Sequence, residues 1–101
     1  MNLAEQIETL KSVCGEALII KTLKKLGQIE LQKYLALLCQ TNDELKPFEK
    51  KFSLKNKTAW KKFQNGQLDD KPENMEWVSI YQNKLLLQEK ISRLEKLPIH
   101  D

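Results

Sequence analysis

The sequence predicts an all-α protein, folded as a compact bundle of five to six helices in a single domain over residues 1–101. Apolar residues recur three and four positions apart along most of the chain, the spacing of amphipathic helices. No stretch shows the period-two alternation, bounded by turn residues, that marks a half-buried strand. The length of 101 residues and the 41% hydrophobic fraction suit one domain with its own core.

The first helix is predicted to begin after a capping pattern, in which Asn2 is followed three residues later by Glu5. Apolar residues then recur at spacings of four, three and four from Leu3 to Cys14. Gly15 either breaks this helix or only weakens it.

Three further helical segments are predicted before residue 53. One covers residues 17–26 and stops at Gly27, a residue that favours helix ends. The next covers residues 28–40 and has so many apolar positions that we expect a central, largely buried helix. A turn is predicted at residues 41–43, followed by a short helix over residues 47–52 that begins at a proline.

Two more helices complete the prediction. A tight connection at residues 53–55 precedes a short helix over residues 56–65, which Gly66 closes. After a loop, Pro72 and an Asn74 cap begin a longer C-terminal helix over residues 74–97, which Pro98 ends.

The most distinctive feature of the sequence is a basic block from Lys46 to Lys62. It contains seven lysines and a single acid, Glu49, so these 17 residues carry a charge of +6 while the other 84 sum to −3. Clustered lysines neutralise phosphates and release counterions, which drives affinity for nucleic acid. A solvated lysine-rich surface over aromatic core residues is the alternative interpretation.

Helical geometry refines this picture for residues 56–65. Trp60 and Phe63 are three residues apart and are predicted to point into the core together. Lys57, Lys61 and Gln64 then lie on a different face of the same helix. Two short helices joined by a tight connection are the plan of a helix-turn-helix, which we place at residues 43–66.

A family resemblance supports this placement. The string Lys57-Thr58-Ala59-Trp60-Lys61-Lys62-Phe63-Gln64-Asn65-Gly66, followed by Pro72 and Asn74, resembles the recognition helix of lambda-repressor-like (Cro-type) DNA-binding domains and the start of the helix after it. The resemblance covers about residues 28–87, with Ser53-Leu54 in the turn where that family has a glycine. It implies a helix-turn-helix fold whose second helix binds the major groove of DNA.

We therefore predict a small DNA-binding protein, a transcriptional regulator of phage, plasmid or bacterial type, with double-stranded DNA as its partner. The alternative is a non-enzymatic helical interaction module, an adaptor or inhibitor, that presents the same basic face to an acidic protein. The candidate nucleic-acid-binding residues are Lys50, Lys51, Lys55, Asn56, Lys57, Thr58, Lys61, Lys62 and Gln64.

A homodimer is predicted from the C-terminal helix. Its apolar residues follow an a/d-like spacing from Trp77 to Leu94, and Leu87, Ile91 and Leu94 are the candidate dimer interface. Packing of this helix on its own bundle, including the first helix, is the alternative.

Other functional classes find little support in the sequence. The only histidine, His100, is penultimate, and there is no glycine-rich phosphate loop, zinc spacing or nucleophile elbow, so we expect neither an enzyme nor a bound cofactor or metal. Cys14 and Cys39 are predicted to be small buried residues rather than a disulfide. No membrane span or secretory signal is found, so a cytoplasmic protein is expected.

Overall fold

A computed structural model describes residues 1–97 of the chain, and these residues form four α-helices and no strand. The helices are α1 (Leu3–Cys14), α2 (Glu16–Phe52), α3 (Asn56–Gln64) and α4 (Pro72–Glu95). The all-α prediction is confirmed. Pro98, predicted to end the last helix, and His100 lie outside the described residues.

The predicted compact bundle of five to six helices is wrong, because the molecule is extended. It measures 59 × 26 × 18 Å and has a radius of gyration of 19.7 Å, against about 13 Å for a compact domain of this length. The 37 residues of α2 alone span about 55 Å. α4 packs along α2, α3 contacts both of them, and α1 contacts only α2.

One continuous helix, α2, replaces the three segments predicted between residues 17 and 52, so the predicted stop at Gly27 and the predicted turn at residues 41–43 are wrong. Gly27 and Thr41 are both buried in α2. The Thr41 hydroxyl donates to the carbonyl of Leu37, at 2.8 Å, so its polar group is satisfied within the helix. Tertiary packing therefore outweighs the weak local preference of these residues for helix ends.

Pro47 lies inside α2 instead of at the start of a separate helix. An interior proline removes one helical hydrogen bond and costs about 3 kcal/mol. The packing on either side offsets this cost, since Leu45 is only 1% exposed and the ring of Phe48 stacks on Trp77. Tertiary contacts, which the residues around Pro47 do not indicate by themselves, thus keep the helix continuous.

The two ends of α1 follow from local chemistry. Asn2 Oδ1 accepts a hydrogen bond from the Glu5 backbone N–H at 2.9 Å, and Asn2 Nδ2 donates to Glu5 Oε1 at 3.2 Å, so the predicted cap is confirmed. Gly15 separates α1 from α2 with φ 88° and ψ 154°, a backbone conformation that residues other than glycine rarely adopt. Gly15 therefore breaks the helix.

The start of α4 differs from the prediction. Pro72 is its first residue and Lys71 its N-cap, so Asn74 lies one turn inside the helix and is not the cap. Asn74 is 8% exposed, and its Nδ2 donates to the carbonyl of Asp69 at 2.9 Å. The side chain that was expected to cap the helix instead fixes the preceding loop against it.

The core lies between the C-terminal half of α2, α3 and α4. Its fully buried residues are Leu45 from α2, Ala59 from α3 and Trp77 from α4, with exposed fractions of 1%, 2% and 1%. Partly buried apolar residues surround them: Phe48, Leu54, Ile80 and Tyr81. All three C-terminal elements therefore contribute to one cluster, and α1 contributes nothing to it.

Burial is much lower at the N-terminal end. The segment 28–40 is not largely buried as predicted, since Ile29 is 56% exposed and Leu35 and Leu37 are 39% exposed. Cys14 and Cys39 are both exposed, which contradicts the prediction of buried cysteines. The physical reason is that α4 covers only one face of α2, while α1, which carries Cys14, contacts α2 alone and buries no residue.

The burial of Trp77 predicts a large loss of stability when its side chain is removed. We expect Trp77→Ala to lower the free energy of unfolding by about 3–5 kcal/mol, because a large buried aromatic is lost. Trp77→Phe keeps an aromatic ring, smaller than the indole, and removes the N–H donor, so we expect a loss of about 1–3 kcal/mol. Urea denaturation measures both, with Leu86→Ala, at a 52% exposed position on the same helix, as the matched control. A Trp77→Ala protein as stable as that control would contradict this account of the core.

Candidate nucleic-acid interface

The basic block folds as the end of α2, a tight turn and α3. Ser53 ends α2 in the left-handed region, with φ 50° and ψ 42°, and its backbone N–H donates to the carbonyl of Glu49. The Leu54 N–H also reaches that carbonyl, at 3.3 Å. A left-handed residue at this place is the usual way in which a helix is terminated, although glycine is the preferred residue.

The N-terminus of α3 is held by two hydrogen bonds to other helices. Glu49 Oε2 accepts from the Asn56 backbone N–H at 2.9 Å, so the only acid of the basic block satisfies one unpaired donor of α3. Asn56 Oδ1 accepts from the indole Nε1 of Trp77 at 2.7 Å. A helix of nine residues thus has a fixed position relative to both α2 and α4.

The buried face of α3 differs in detail from the prediction. Ala59 is its one buried residue, whereas Trp60 is half-buried and Phe63 is 40% exposed, so Phe63 does not point fully into the core. The rings of Phe63 and Tyr81 each lie 5.8 Å from the ring of Trp60. The small side chain of Ala59 lets α3 approach the cluster closely, and the larger rings lie at its margin.

The opposite face of α3 is exposed and cationic. Lys57 and Lys61 are exposed on it, Lys62 is exposed at its side, and Lys50 from α2 and Lys55 from the turn are exposed nearby in the chain. No ion pair forms at any of these five lysines within residues 1–97. We call these five residues the basic surface.

The remaining two lysines of the block have acidic partners. Lys51 Nζ lies 2.6 Å from Glu73 Oε1, which joins the end of α2 to the first turn of α4. Lys46 Nζ lies 3.1 Å from Asp43 Oδ1, three residues earlier in α2. Both pairs are solvent-exposed, so each contributes about 0–1 kcal/mol to stability. Lys51, one of the candidate binding residues, is therefore partly neutralised.

The three uncharged candidates are placed differently from one another. Thr58 and Gln64 are exposed on α3. Asn56 is half-buried, and its side-chain oxygen is occupied by the Trp77 indole. Only Thr58 and Gln64 present polar side chains beside the basic surface, while Asn56 holds α3 in place.

The residues predicted as a dimer interface face the interior of the monomer. Leu87 and Ile91 are 6% and 7% exposed, so a second copy could contact them only if α4 left its own chain. Leu94 is half-buried and lines a groove with Leu23 and Leu26 of α2. The a/d-like spacing of α4 matches its intramolecular packing along α2.

Three residues with structural roles at this site were missed from the sequence. Glu49 was noted only as the single acid among seven lysines, and Ala59, next to Trp60, is the only small apolar residue of α3. Ser53 gives no local signal, because serine rarely adopts the left-handed conformation.

Two other kinds of site find no support in residues 1–97. No group of three or more histidine, cysteine, aspartate or glutamate side chains gathers there as a metal site would require. Along the same residues, no helix combines the length and apolar character that a bilayer crossing demands.

Comparisons with known proteins give no match: no family model, no curated protein and no solved structure is significantly similar to this chain.

The geometry of the turn gives a prediction for Ser53. We expect Ser53→Gly to raise the free energy of unfolding by about 0.5–1 kcal/mol, because glycine adopts a positive φ without steric cost. Ser53→Val should lower it by about 1–2 kcal/mol, since a β-branched residue is strained there. Denaturation curves of both variants test this, and equal stabilities would show that residue 53 is not left-handed in solution.

Proposed function

We propose that this chain is a small, non-enzymatic DNA-binding protein that acts in the cytoplasm as a transcriptional regulator of phage, plasmid or bacterial type. The observation that carries the proposal is the basic surface: five lysines that form no ion pair within residues 1–97, beside a short helix that α2 and α4 hold in place. Double-stranded DNA is the proposed partner.

The charge distribution supports a polyanion as the ligand. A charge of +6 over residues 46–62 is concentrated at one end of an extended molecule whose other 84 residues sum to −3. Such a local field attracts the phosphate backbone even though the whole chain is only +3. Lysine side chains on α3 are the proposed phosphate contacts, and Lys61 and Lys57 also suit guanine edges.

The arrangement of helices supports insertion of α3 into a groove. In a helix-turn-helix the second helix presents one face to bases while the other face packs on the protein. α3 has this division, with Ala59 buried on one side and Thr58 exposed among lysines on the other. Thr58 and Gln64 are the proposed base-reading residues.

A second candidate function is favoured by two aromatic side chains. Phe52 and Phe63 are 37% and 40% exposed at the ends of the helices that carry the basic surface. Protein interfaces combine an apolar centre with a charged rim, so the same region fits an acidic protein partner of an adaptor or inhibitor.

The test is a titration against random-sequence duplex DNA at several salt concentrations. We expect the logarithm of the association constant to fall linearly with the logarithm of the salt concentration, with a slope between about −3 and −5. The reason is that each of the five lysines of the basic surface releases about 0.9 counterion when it contacts a phosphate. The double variant Lys57→Ala/Lys61→Ala should make this slope less negative by about 2. Lys21→Ala/Lys25→Ala removes the same charge from exposed positions far from the basic surface and should leave the slope unchanged.

Three outcomes separate the candidate functions. If the chain does not bind duplex DNA at low salt, DNA is excluded as the partner, and the adaptor or inhibitor function with an acidic protein partner is favoured. Equal effects of the two double variants show that net charge, rather than the basic surface, determines affinity. Selection from a random duplex pool then tests base reading, since an enriched motif that Thr58→Ala or Gln64→Ala relaxes would assign those residues to base edges.

A further inference from the structure

Large apolar side chains are exposed along the N-terminal third of the molecule. We call residues 3–29, which comprise α1 and the start of α2, the N-terminal arm. Its exposed large hydrophobic residues have exposed fractions between 45% and 79%, and they are Leu3, Leu10, Val13, Leu18, Ile20, Leu23, Leu26 and Ile29. Soluble monomers rarely expose so many large apolar side chains within one region.

The arm has almost no partner within the described chain. α1 has no buried residue and contacts only α2. Between residues 16 and 40, Gly27 is the one buried residue of α2. An isolated helix of 12 residues is only marginally stable in water. We therefore expect the apolar face of α1 to pack against another surface.

A groove lies where the arm meets the end of α4. It has a volume of about 310 Å³ and is lined by Leu23, Leu26, Gly27, Glu30, Leu94 and Leu97. The buried Gly27 forms part of its wall, and four leucines make it mainly apolar. The groove extends the α2–α4 contact toward the arm and is wide enough for apolar side chains from another helix.

The excess surface of the chain has the size of a dimer interface. The accessible surface is 7709 Å², whereas a compact folded monomer of 11.8 kDa exposes about 5,900 Å². The difference is about 1,800 Å² per chain. Obligate dimers bury about 1,000–2,500 Å² per partner, so one second copy is enough to bring the exposed surface to the usual value.

The charges of the arm also favour a second copy over an acidic or basic partner. Residues 3–29 contain three glutamates and four lysines and therefore carry a net charge of only +1. Within the arm, α1 carries two glutamates and one lysine, whereas residues 16–29 carry one glutamate and three lysines. α1 of one copy thus complements the start of α2 of the other, and a two-fold axis provides this contact twice.

We propose that the N-terminal arm and the groove beside it form a symmetric homodimer interface with a second copy of the chain. The apolar faces of the two arms bury each other, and the basic surfaces lie at the opposite end of each α2, away from the interface. This inference goes beyond the proposed DNA binding and does not depend on it.

The test is the molar mass of the intact chain by light scattering, without DNA. We expect about 24 kDa at tens of micromolar, twice the 11.8 kDa of one chain. Leu26→Glu should weaken dimerisation at least about 100-fold, since a carboxylate would be buried in an apolar interface. Leu86→Glu is the matched control, because Leu86 on α4 is 52% exposed and Leu26 is 56% exposed.

A second variant and a second measurement make the result independent of folding. Val13→Glu, at a 79% exposed position of α1, should also give monomers, while near-ultraviolet circular dichroism of the Trp60 and Trp77 environments stays unchanged. Amide hydrogen exchange should show that dilution of the wild-type chain lowers protection in residues 3–29 but not in residues 41–91.

Several outcomes would overturn the proposal. A wild-type mass of 11.8 kDa at 100 micromolar excludes the dimer, and a mass above that of a dimer excludes a closed two-fold interface. Dissociation by Leu86→Glu but not by Leu26→Glu would place the interface elsewhere on the chain. None of these results affects the DNA titration, so the two proposals fail separately.

Discussion

The indole of Trp77 joins the three elements of the C-terminal half. Its ring is nearly parallel to those of Phe48 and Phe52 of α2, at centroid distances of 5.8 and 5.3 Å and interplanar angles of 12°. Its N–H is bonded to the Asn56 side chain at the start of α3. Because one buried side chain supplies both the aromatic packing and the hydrogen bond, the positions of α2, α3 and α4 are coupled, and the turn at Ser53 has a fixed geometry. The placement of the basic surface depends on this coupling.

The basic surface requires such a support because α3 is too short to be stable alone. α3 has nine residues, five of which are polar and exposed, so it buries little apolar surface. Ala59 is its one buried residue. Lysines at these positions repel each other and cost stability, which Glu49 and the α4 contacts offset from the other side of the helix. The separation of charge from core allows these five lysines to remain without an ion pair among residues 1–97.

The uneven distribution of the core explains the shape of the molecule. Every buried side chain larger than glycine in the described residues lies between Thr41 and Ile91, and α1, which contacts only α2, adds none. The same helix, α2, therefore belongs to a packed half and to an uncovered half. A chain with an apolar fraction of 41% has enough hydrophobic residues for a compact monomer, so their exposure on the arm reflects topology and not composition.

The sequence by itself determined the helical class, the capped start of α1 and the break at Gly15. It also determined the connection after Phe52 and the cationic character of residues 46–62. All of these features depend on local periodicity, capping chemistry or composition. Tertiary structure decided the rest. Gly27, Thr41 and Pro47 all favour helix ends locally, yet α2 continues through them because its packing against α4 outweighs a few kcal/mol of unfavourable propensity. The spacing of Leu87 and Ile91 indicated a buried seam correctly, but periodicity does not say which helix lies opposite. Only the fold shows that α2 of the same chain occupies that seam, which leaves the N-terminal arm as the uncovered apolar surface.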